Sequence, residues 1–266
     1  MKATVRPAGI RSRATRALVY LGGGGLLTFA LTGCGSANAD SAPAENTSFP
    51  LAGKVLTIDS DDSAVELVAA DVPNVEVTRR VDGWVFIGSG PETSWRMAGD
   101  TLTLRVRCNA VASDCEARHT VRVPRGVTVQ VNDDNGGVTA SGFSTPLRIE
   151  SLNGDVTVRD TTGPLELASD NGSIATEGVS ARALGARSEN GSIRLGVKAG
   201  AAPERIEGSS DNGKVLIELP GSGRAYAVTA DSTHGSVTVD VPTDKRSTHV
   251  VKARSGSGSV TIRRAD

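Results

Sequence analysis

Asn153-Gly154-Asp155-Val156 is one copy of a four-residue motif that recurs through the second half of the chain. Each copy has a turn residue, a glycine, a small or polar residue, and then Val or Ile. The other copies are Asn135-Gly136-Gly137-Val138, Asn171-Gly172-Ser173-Ile174, Asn190-Gly191-Ser192-Ile193, Asn212-Gly213-Lys214-Val215, His234-Gly235-Ser236-Val237 and Ser257-Gly258-Ser259-Val260. Successive copies lie 18, 18, 19, 22, 22 and 23 residues apart. A period of this size indicates a repeat architecture.

The residues that flank these turns alternate between apolar and polar, as at Val156 and Val158 and again at Leu165 and Leu167. An alternation of period two is typical of a β-strand with one buried face. Asparagine tolerates the left-handed backbone region, and we expect the glycine to supply the positive φ of a tight turn. Each repeat is therefore predicted to be a strand, an Asn-Gly turn, a second strand and a second turn.

Two architectures fit this unit. Asn-Gly between alternating runs is a strong hairpin signal, so an antiparallel meander is one of them. The other is a β-solenoid, and the unequal second turns favour it, because residues 161–163 make a short one and residues 198–204 and 242–248 make long ones. A solenoid accommodates such insertions along one edge, and its in-register turns would stack the asparagines into a hydrogen-bonded ladder. We predict an all-β fold, a single elongated parallel β-solenoid of about 18–23 residues per coil with an irregular N-terminal cap.

The recurring Asn-Gly-x-Val units, introduced by the segment HTVRVPRGVTVQV at residues 119–131, resemble a bacterial putative-adhesin family of unknown function. The resemblance covers roughly residues 50–266. It implies repetitive β-solenoid domains that are often secreted or anchored to a membrane. No catalytic residues are associated with that family, so the resemblance implies none in this chain.

The first 33 residues have the features of a secretory signal, with basic residues followed by an apolar stretch at 17–31. That stretch is too short and too rich in glycine for a lasting membrane span. Leu31-Thr32-Gly33-Cys34 then resembles the lipobox of bacterial lipoproteins, in which the cysteine thiol accepts a diacylglycerol. We predict a lipoprotein signal peptide at 1–33, lipid attachment at Cys34, and an extracytoplasmic protein whose acyl chains anchor it to the outer leaflet of the cell membrane.

The composition then changes twice along the chain. Residues 34–50 are small and polar, and they are predicted to form a flexible tether. Residues 51–131 are predicted to be irregular coils that cap the solenoid, and residues 132–266 to be its regular repeats. A cap has to cover the apolar end of the first coil, so we expect its aromatic side chains to be buried. These are Trp84, Phe86 and Trp95.

Three cysteines are present, and two of them, Cys108 and Cys115, lie in the predicted cap. In an oxidising compartment we expect these two to form a structural disulfide. A redox or metal-binding pair is the alternative, but the spacing is not Cys-x-x-Cys. With Cys34 carrying lipid, no free thiol would be left over.

Charge is distributed unevenly along the chain. The net charge is −1, but residues 34–180 carry 11 basic against 21 acidic residues, and residues 181–266 carry 13 against 9. The basic distal repeats, with Lys245, Arg246 and Lys252, are a candidate surface for anionic cell-wall polymers; a solvated face is the alternative interpretation. An envelope protein is the other partner considered, and no nucleic-acid partner is predicted.

Motifs for catalysis or metal binding are not evident. The histidines are His119, His234 and His249, and there is no Gly-x-Ser-x-Gly, His-Glu-x-x-His or phosphate-binding loop. Acidic and amide residues crowd the turns, most densely at 132–135, but these residue types are also the default in turns. A weak calcium site would be expected there if anywhere, and we predict no metal and no cofactor.

The sequence therefore predicts a lipid-anchored cell-surface binding or structural module without catalysis. An envelope sensor or accessory protein that binds another protein is the alternative. A polysaccharide-active enzyme is the least favoured class, because the coils are too short to build a wide groove.

Overall fold

The computed structural model of the chain describes residues 37–221 and 223–265. The predicted signal peptide and Cys34 lie outside the described residues. Within those residues a short 3-10 helix, Ala39–Ser41, precedes a series of strands. No helix in the described ranges is long and apolar enough to cross a membrane. The strands are β1 Ala44–Phe49, β2 Val55–Ser60, β3 Ala64–Ala70, β4 Val75–Ala98, β5 Thr101–Pro124, β6 Thr128–Asp133, β7 Val138–Ser141, β8 Leu147–Ser151, β9 Val156–Arg159, β10 Leu165–Ser169, β11 Ile174–Val179, β12 Ala183–Ser188, β13 Ile193–Val197, β14 Arg205–Ser210, β15 Val215–Leu219, β16 Ala227–Ser232, β17 Val237–Asp240, β18 Val250–Ser255 and β19 Val260–Arg264.

Most of these strands stack in parallel into two columns. Column 1 contains, from end to end, β2, β6, β8, β10, β12, β14, β18 and β16. Column 2 contains β3, β7, β9, β11, β13, β15, β19 and β17. Each coil supplies one strand to each column, and the turn that carries the motif joins the two. The predicted parallel β-solenoid is confirmed, and the antiparallel meander is wrong.

The register of the coils follows from their alternating side chains. The Val or Ile of each motif aligns with that of the next coil, so Val156 pairs with Ile174 and Ile174 with Ile193. These inward-facing side chains are at most 1% exposed. Because a shift by one residue would turn each strand inside out, burial of one face holds this register. Most core side chains are aliphatic, in keeping with an aromatic content of 3%, and Phe143 and Tyr226 are the aromatic members.

The last coils do not stack in the order of the chain. β18 lies between β14 and β16, and β19 lies between β15 and β17. The chain therefore places β16 and β17 at the far end of the solenoid and then returns. Its final coil, β18 and β19, lies between that end coil and the coil formed by β14 and β15. A sequence of similar repeats does not distinguish this order from a simple succession, because each repeat offers the same strand edges.

The other end of the solenoid is covered by a long two-stranded antiparallel ribbon, β4 and β5. Residues 101–104 of β5 pair in parallel with β2, and residues 118–124 pair with β3. The ribbon therefore covers both columns, which is the role expected of a cap. Its antiparallel form departs from the prediction of irregular coils throughout 51–131.

Part of the segment predicted to be a tether is ordered on this ribbon. Strand β1 pairs antiparallel with β4, and the backbone N–H of Asn38 donates to the Asp82 carboxylate at 2.8 Å. Glu45 also forms an ion pair with Arg79. Strand β1 thereby covers an edge of β4 that would otherwise be unpaired. This pairing explains why the polar segment that contains β1 is held in place.

The disulfide between Cys108 and Cys115 is confirmed, with the two Cα atoms 6.7 Å apart. The aromatic residues of the cap behave differently from one another. Trp95 packs on the core with the Arg79 guanidinium 4.1 Å from its ring centroid, whereas Trp84 is 38% exposed, so the expectation that it is buried is wrong. The side chain of Phe86 lies outside the described part of the structure.

Candidate functional site

The edge of the solenoid that carries the turns is its most regular surface. Each turn asparagine donates through Nδ2 to Oδ1 of the asparagine one coil before it, at 2.9 to 3.0 Å. This asparagine ladder contains Asn135, Asn153, Asn171, Asn190 and Asn212. Its first member, Asn135, donates to the Asp62 carboxylate at 2.9 Å. The ladder therefore fixes the amide groups in one orientation along the edge.

The glycine that follows each asparagine is needed for a reason other than the one we expected. A positive φ is found at other glycines, but not at the motif glycines Gly136, Gly154, Gly172, Gly191, Gly213, Gly235 and Gly258. Instead, a Cβ at Gly172 would lie 2.1 Å from the carbonyl oxygen of Gly154, and one at Gly191 would lie 2.0 Å from that of Gly172. Glycine is therefore required because stacked turns approach closely.

The remaining motif copies continue this edge in the spatial order of the coils. A Cβ at Gly258 would meet the carbonyl oxygen of Gly213 at 2.3 Å, and one at Gly235 would meet that of Gly258 at 2.2 Å. His234 consequently lies on the outermost coil, with its N–H donating to Gly256 at 2.9 Å. It is separated from Asn212 by the coil that carries Ser257.

A row of inward-facing serines lies behind the turns, and sequence reasoning missed it. Ser169 Oγ donates to the Gly154 carbonyl at 3.0 Å, and Ser188 Oγ donates to the Gly172 carbonyl at 2.9 Å. Equivalent bonds are made by Ser210, Ser232 and Ser255. The signal was present as a serine two residues before the asparagine or its substitute. These bonds satisfy turn carbonyls that close stacking shields from water.

Asp133 occupies this serine position in one coil, where it aligns with Ser60 on one side and Ser151 on the other. The side chain is buried, and Oδ2 accepts from the Gly136 N–H at 2.9 Å. Oδ1 has no hydrogen-bond partner among the described residues. Burial raises the pKa of Asp133 to about 7, against hydrogen bonds from Ser60 and Gly136 that favour the charged form.

A hydrogen-bonded chain continues from this position into the cap. The Ser60 and Ser63 hydroxyls are 3.1 Å apart, and Ser63 Oγ is 2.9 Å from His119 Nδ1. His119 is fully buried, and burial, assisted by the nearby Arg79 charge, lowers its pKa to about 4. We call Asp133, Ser60, Ser63 and His119 the buried polar cluster. Because its serines and histidine are enclosed, a Ser–His pair at this position is not accessible to a substrate.

The segment 132–135, where a weak calcium site was considered, is thus divided between two environments. Asp133 faces inward, and Asn135 belongs to the ladder. In the described ranges, no group of three or more His, Cys, Asp or Glu side chains is placed to hold a metal ion. The arrangement is that of a turn.

The outer face of column 1 carries ion pairs within and between coils. Arg148 pairs with Glu150 and Glu166, and Arg187 pairs with Asp211 at 3.3 Å. Arg148, Glu166 and Arg187 line a shallow depression of about 290 Å³. Its lining also includes Ala168 and Gly185. The depression is open to solvent and lined by groups of both signs, so it offers a surface for polar contacts rather than an enclosed pocket.

The three distal basic residues named from the sequence differ in their environment. Lys252 forms an ion pair with Glu207 at 3.1 Å, and this contact lowers the pKa of the glutamate. Arg246 is 92% exposed, although its guanidinium lies 3.6 Å from Asp244. Lys245 is exposed and forms no ion pair with any described residue. Among the described residues, Lys245 is therefore the one side chain of this set without an ion pair, and Arg246 is more exposed than Lys252, whose side chain is 50% exposed.

Solved structures similar to this chain come from bacterial proteins. A putative adhesin from Bacteroides fragilis NCTC 9343 has a TM-score of 0.51 at 16% identity, covering 85% of this chain and 98% of that one. At this identity the likeness shows the fold. Putative adhesins from Parabacteroides distasonis ATCC 8503 and Parabacteroides merdae ATCC 43184 have TM-scores of 0.42 and 0.41 at 14% and 13% identity, with the same coverage.

No curated protein matches the chain significantly. A family model, Toastrack DUF4097, matches residues 105–266, which is more than half of the chain. The match begins within β5 and includes every Asn-Gly turn, so it covers the regular coils together with most of one strand of the cap. The chain belongs to the Toastrack DUF4097 family.

Proposed function

We propose that the chain is a lipid-anchored binding module on the outer face of a bacterial cell membrane, adhesin-like and without catalytic activity. The lipobox pattern that ends at Cys34 supports the anchor. The disulfide between Cys108 and Cys115 supports an oxidising, extracytoplasmic location. The fold shared with a protein described as a putative adhesin is consistent with binding at a surface.

The observation that carries the proposal is the regular stacking of the coils. Turns and outward side chains recur at about 4.8 Å along the solenoid. A polymer with repeating groups can contact several coils at once, and linked weak contacts of this kind raise the overall affinity strongly. The Ser63–His119 pair is buried, so it does not supply a Ser–His site that is open to a substrate.

We propose an anionic cell-wall polymer as the partner. Lys245 and Arg246 supply exposed positive charge in the loop after β17, within a C-terminal part that is net basic. Such contacts weaken with salt, because exposed charges more than a Debye length apart are screened, and that length is about 8 Å at physiological ionic strength.

The test is sedimentation of the purified full chain with insoluble cell wall at two salt concentrations. We expect binding that falls as salt rises, and we expect the double variant Lys245→Gln/Arg246→Gln to lose most of it. The matched control, Lys54→Gln/Arg96→Gln, removes the same charge from exposed positions near the capped end and should bind like the wild type. If the chain does not sediment with cell wall and captures one membrane protein instead, this proposal is wrong. The chain would then be an accessory protein of the envelope.

A further inference from the structure

The two ends of the solenoid are finished differently. At one end, β5 covers β2 and β3, and β4 and β1 add further layers. At the other end, β16 and β17 are outermost, and among the described strands each has a neighbour on one side only. In the described part of the chain, the only pairing on their outer side is a single bridge from Tyr226, just before β16, to Thr243.

The uncovered end exposes side chains that every inner coil buries. Val237 is 44% exposed and Val239 is 40% exposed, whereas their partners in the next coil, Val260 and Ile262, are fully buried. All four side chains belong to the same inward-facing apolar row. Val237 and Val239 are therefore exposed because no further coil of the described chain lies on them. The open end is an apolar surface of the kind that inner coils bury.

The open end also lacks the usual protection of an edge strand. Natural edges are kept from pairing by lysine, proline, bulges or covering segments. Strands β16 and β17 contain no Lys, Arg or Pro, and their only charged residues are Asp231 and Asp240. Each of these two is at or next to the last residue of its strand, so the central part of both edges is free to accept another strand.

We propose that a second copy of this chain covers the open end, head to head. A two-fold axis perpendicular to the stacking direction would bring β16 against its counterpart and β17 against its counterpart, both antiparallel. The occupant must supply two strand edges with an apolar row between them. A single extended peptide covers one edge, whereas the same end of a second molecule covers both.

Charge complementarity supports this occupant. Antiparallel pairing places the end of each β16, at Asp231, beside the start of the other β16. The loop 243–247 lies at that start, because the Asp244 N–H donates to Tyr226 at 3.0 Å and Ser247 Oγ donates to Ala225 at 2.8 Å. This loop holds Lys245 and the Arg246–Asp244 ion pair, so its net positive charge would face the aspartate. Asp240 would similarly lie near His234 of the other copy, at the turn that begins β17.

The pairing has a consequence for adhesion that rests on the proposed function. Strand β1, through which the chain enters the fold, lies on the cap at the opposite end from β16 and β17. A head-to-head pair therefore directs its two N-terminal segments away from each other. If both copies are anchored through Cys34, the pair joins two facing surfaces, which is homophilic adhesion.

Cross-linking of the full chain tests the pairing. With Thr238→Cys, which faces outward on β17, a short bismaleimide should convert a large fraction of the protein into covalent dimer. Thr157→Cys is the matched control, since it occupies the same register position on β9 with strands on both sides, and it should give no more dimer than the wild type. Adding Val239→Lys should abolish the Thr238→Cys dimer while far-UV circular dichroism stays unchanged.

Three results would overturn the proposal: no dimer from folded Thr238→Cys, equal dimer from Thr157→Cys, or a dimer that survives Val239→Lys. The failure of this proposal is distinguishable from failure of the proposed function. If the protein is a monomer but still sediments with cell wall, only the head-to-head pair is contradicted. If it forms the dimer but does not sediment with cell wall, only the polymer partner is contradicted.

Discussion

Gly154 lies so close to the preceding turn that a Cβ added to it would be 1.7 Å from the carbonyl oxygen of Gly136. Relief requires the two coils to separate, because the backbone fixes the position of a Cβ and the carbonyl oxygen is itself a backbone atom. We expect Gly154→Ala to lower the free energy of unfolding by about 3 kcal/mol or more, at the upper end of overpacking costs. Gly137→Ala is the matched control, since its Cβ would meet nothing nearer than 3.8 Å. Equal stability of the two variants in urea would refute the explanation by close stacking.

The asparagine ladder predicts a position-dependent cost. Asn171 makes two ladder bonds, one to Asn153 and one from Asn190, both at 3.0 Å. Asn212 donates one ladder bond, to Asn190. At about 1 kcal/mol per bond, Asn171→Ala should cost about twice as much as Asn212→Ala in a denaturant titration. A larger loss at Asn212 would mean that the ladder is not the source of the stabilisation.

The buried polar cluster predicts two opposed dependences on pH. The folded pKa of Asp133 is about 7, above its ordinary 3.8, so its contribution to stability is present at low pH and is lost as pH rises toward 7. The folded pKa of His119 is about 4, below its ordinary 6.5, so its contribution is present above about 6.5 and is lost as pH falls. Between pH 4 and 6.5 the two slopes, each about 1.4 kcal/mol per pH unit, oppose each other.

Single variants should separate these slopes. Relative to the wild type, Asp133→Asn should gain stability as pH rises from 4.5 to 6.5, and His119→Gln should lose it over the same range. The comparison with wild type removes the contribution of carboxylates common to all three proteins. Urea unfolding at pH 4.5, 5.5 and 6.5 measures both differences, and differences that do not vary with pH would show that neither group is buried as described.

The disulfide should stabilise the ribbon and leave the coils unaffected. Reduction of Cys108–Cys115 opens a short loop and should cost about 2 to 3 kcal/mol on the loop-entropy model. The two cysteines lie within β5, where residues 105–117 connect the part on column 1 with the part on column 2. Hydrogen exchange should therefore increase in residues 82–116 after reduction and stay constant in residues 147–197. Faster exchange throughout the coils would assign the disulfide a global role instead.

The repeat motif was enough to predict the parallel solenoid, because a period of 18 to 23 residues and alternating strands leave few other ways to bury one face. The disulfide followed from the presence of two close cysteines. The position of β18 and β19 inside β16 and β17 could not be predicted, since every coil presents equivalent edges to its neighbours. The predicted role of the motif glycines was wrong for a related reason. Close stacking of the turns depends on neighbouring coils and not on the local sequence.

The candidate surfaces were less accessible to sequence reasoning. The serine row was readable as a recurring residue before each turn, but its function depends on carbonyls of another coil. The exposed valines of β17, Val237 and Val239, match the motif of buried strands, so the sequence alone predicts that they are covered. Their exposure became evident only when the order of the coils placed β17 at an end.

The most direct test of the central claim is retention of cells that display the full chain on a surface coated with purified cell-wall polymer. We expect retention that falls with salt, is lost with Cys34→Ala because the anchor is missing, and is much reduced with Lys245→Gln/Arg246→Gln. Retention equal to that of cells without the chain, while the chain is shown to be folded and displayed, would contradict a lipid-anchored binding module.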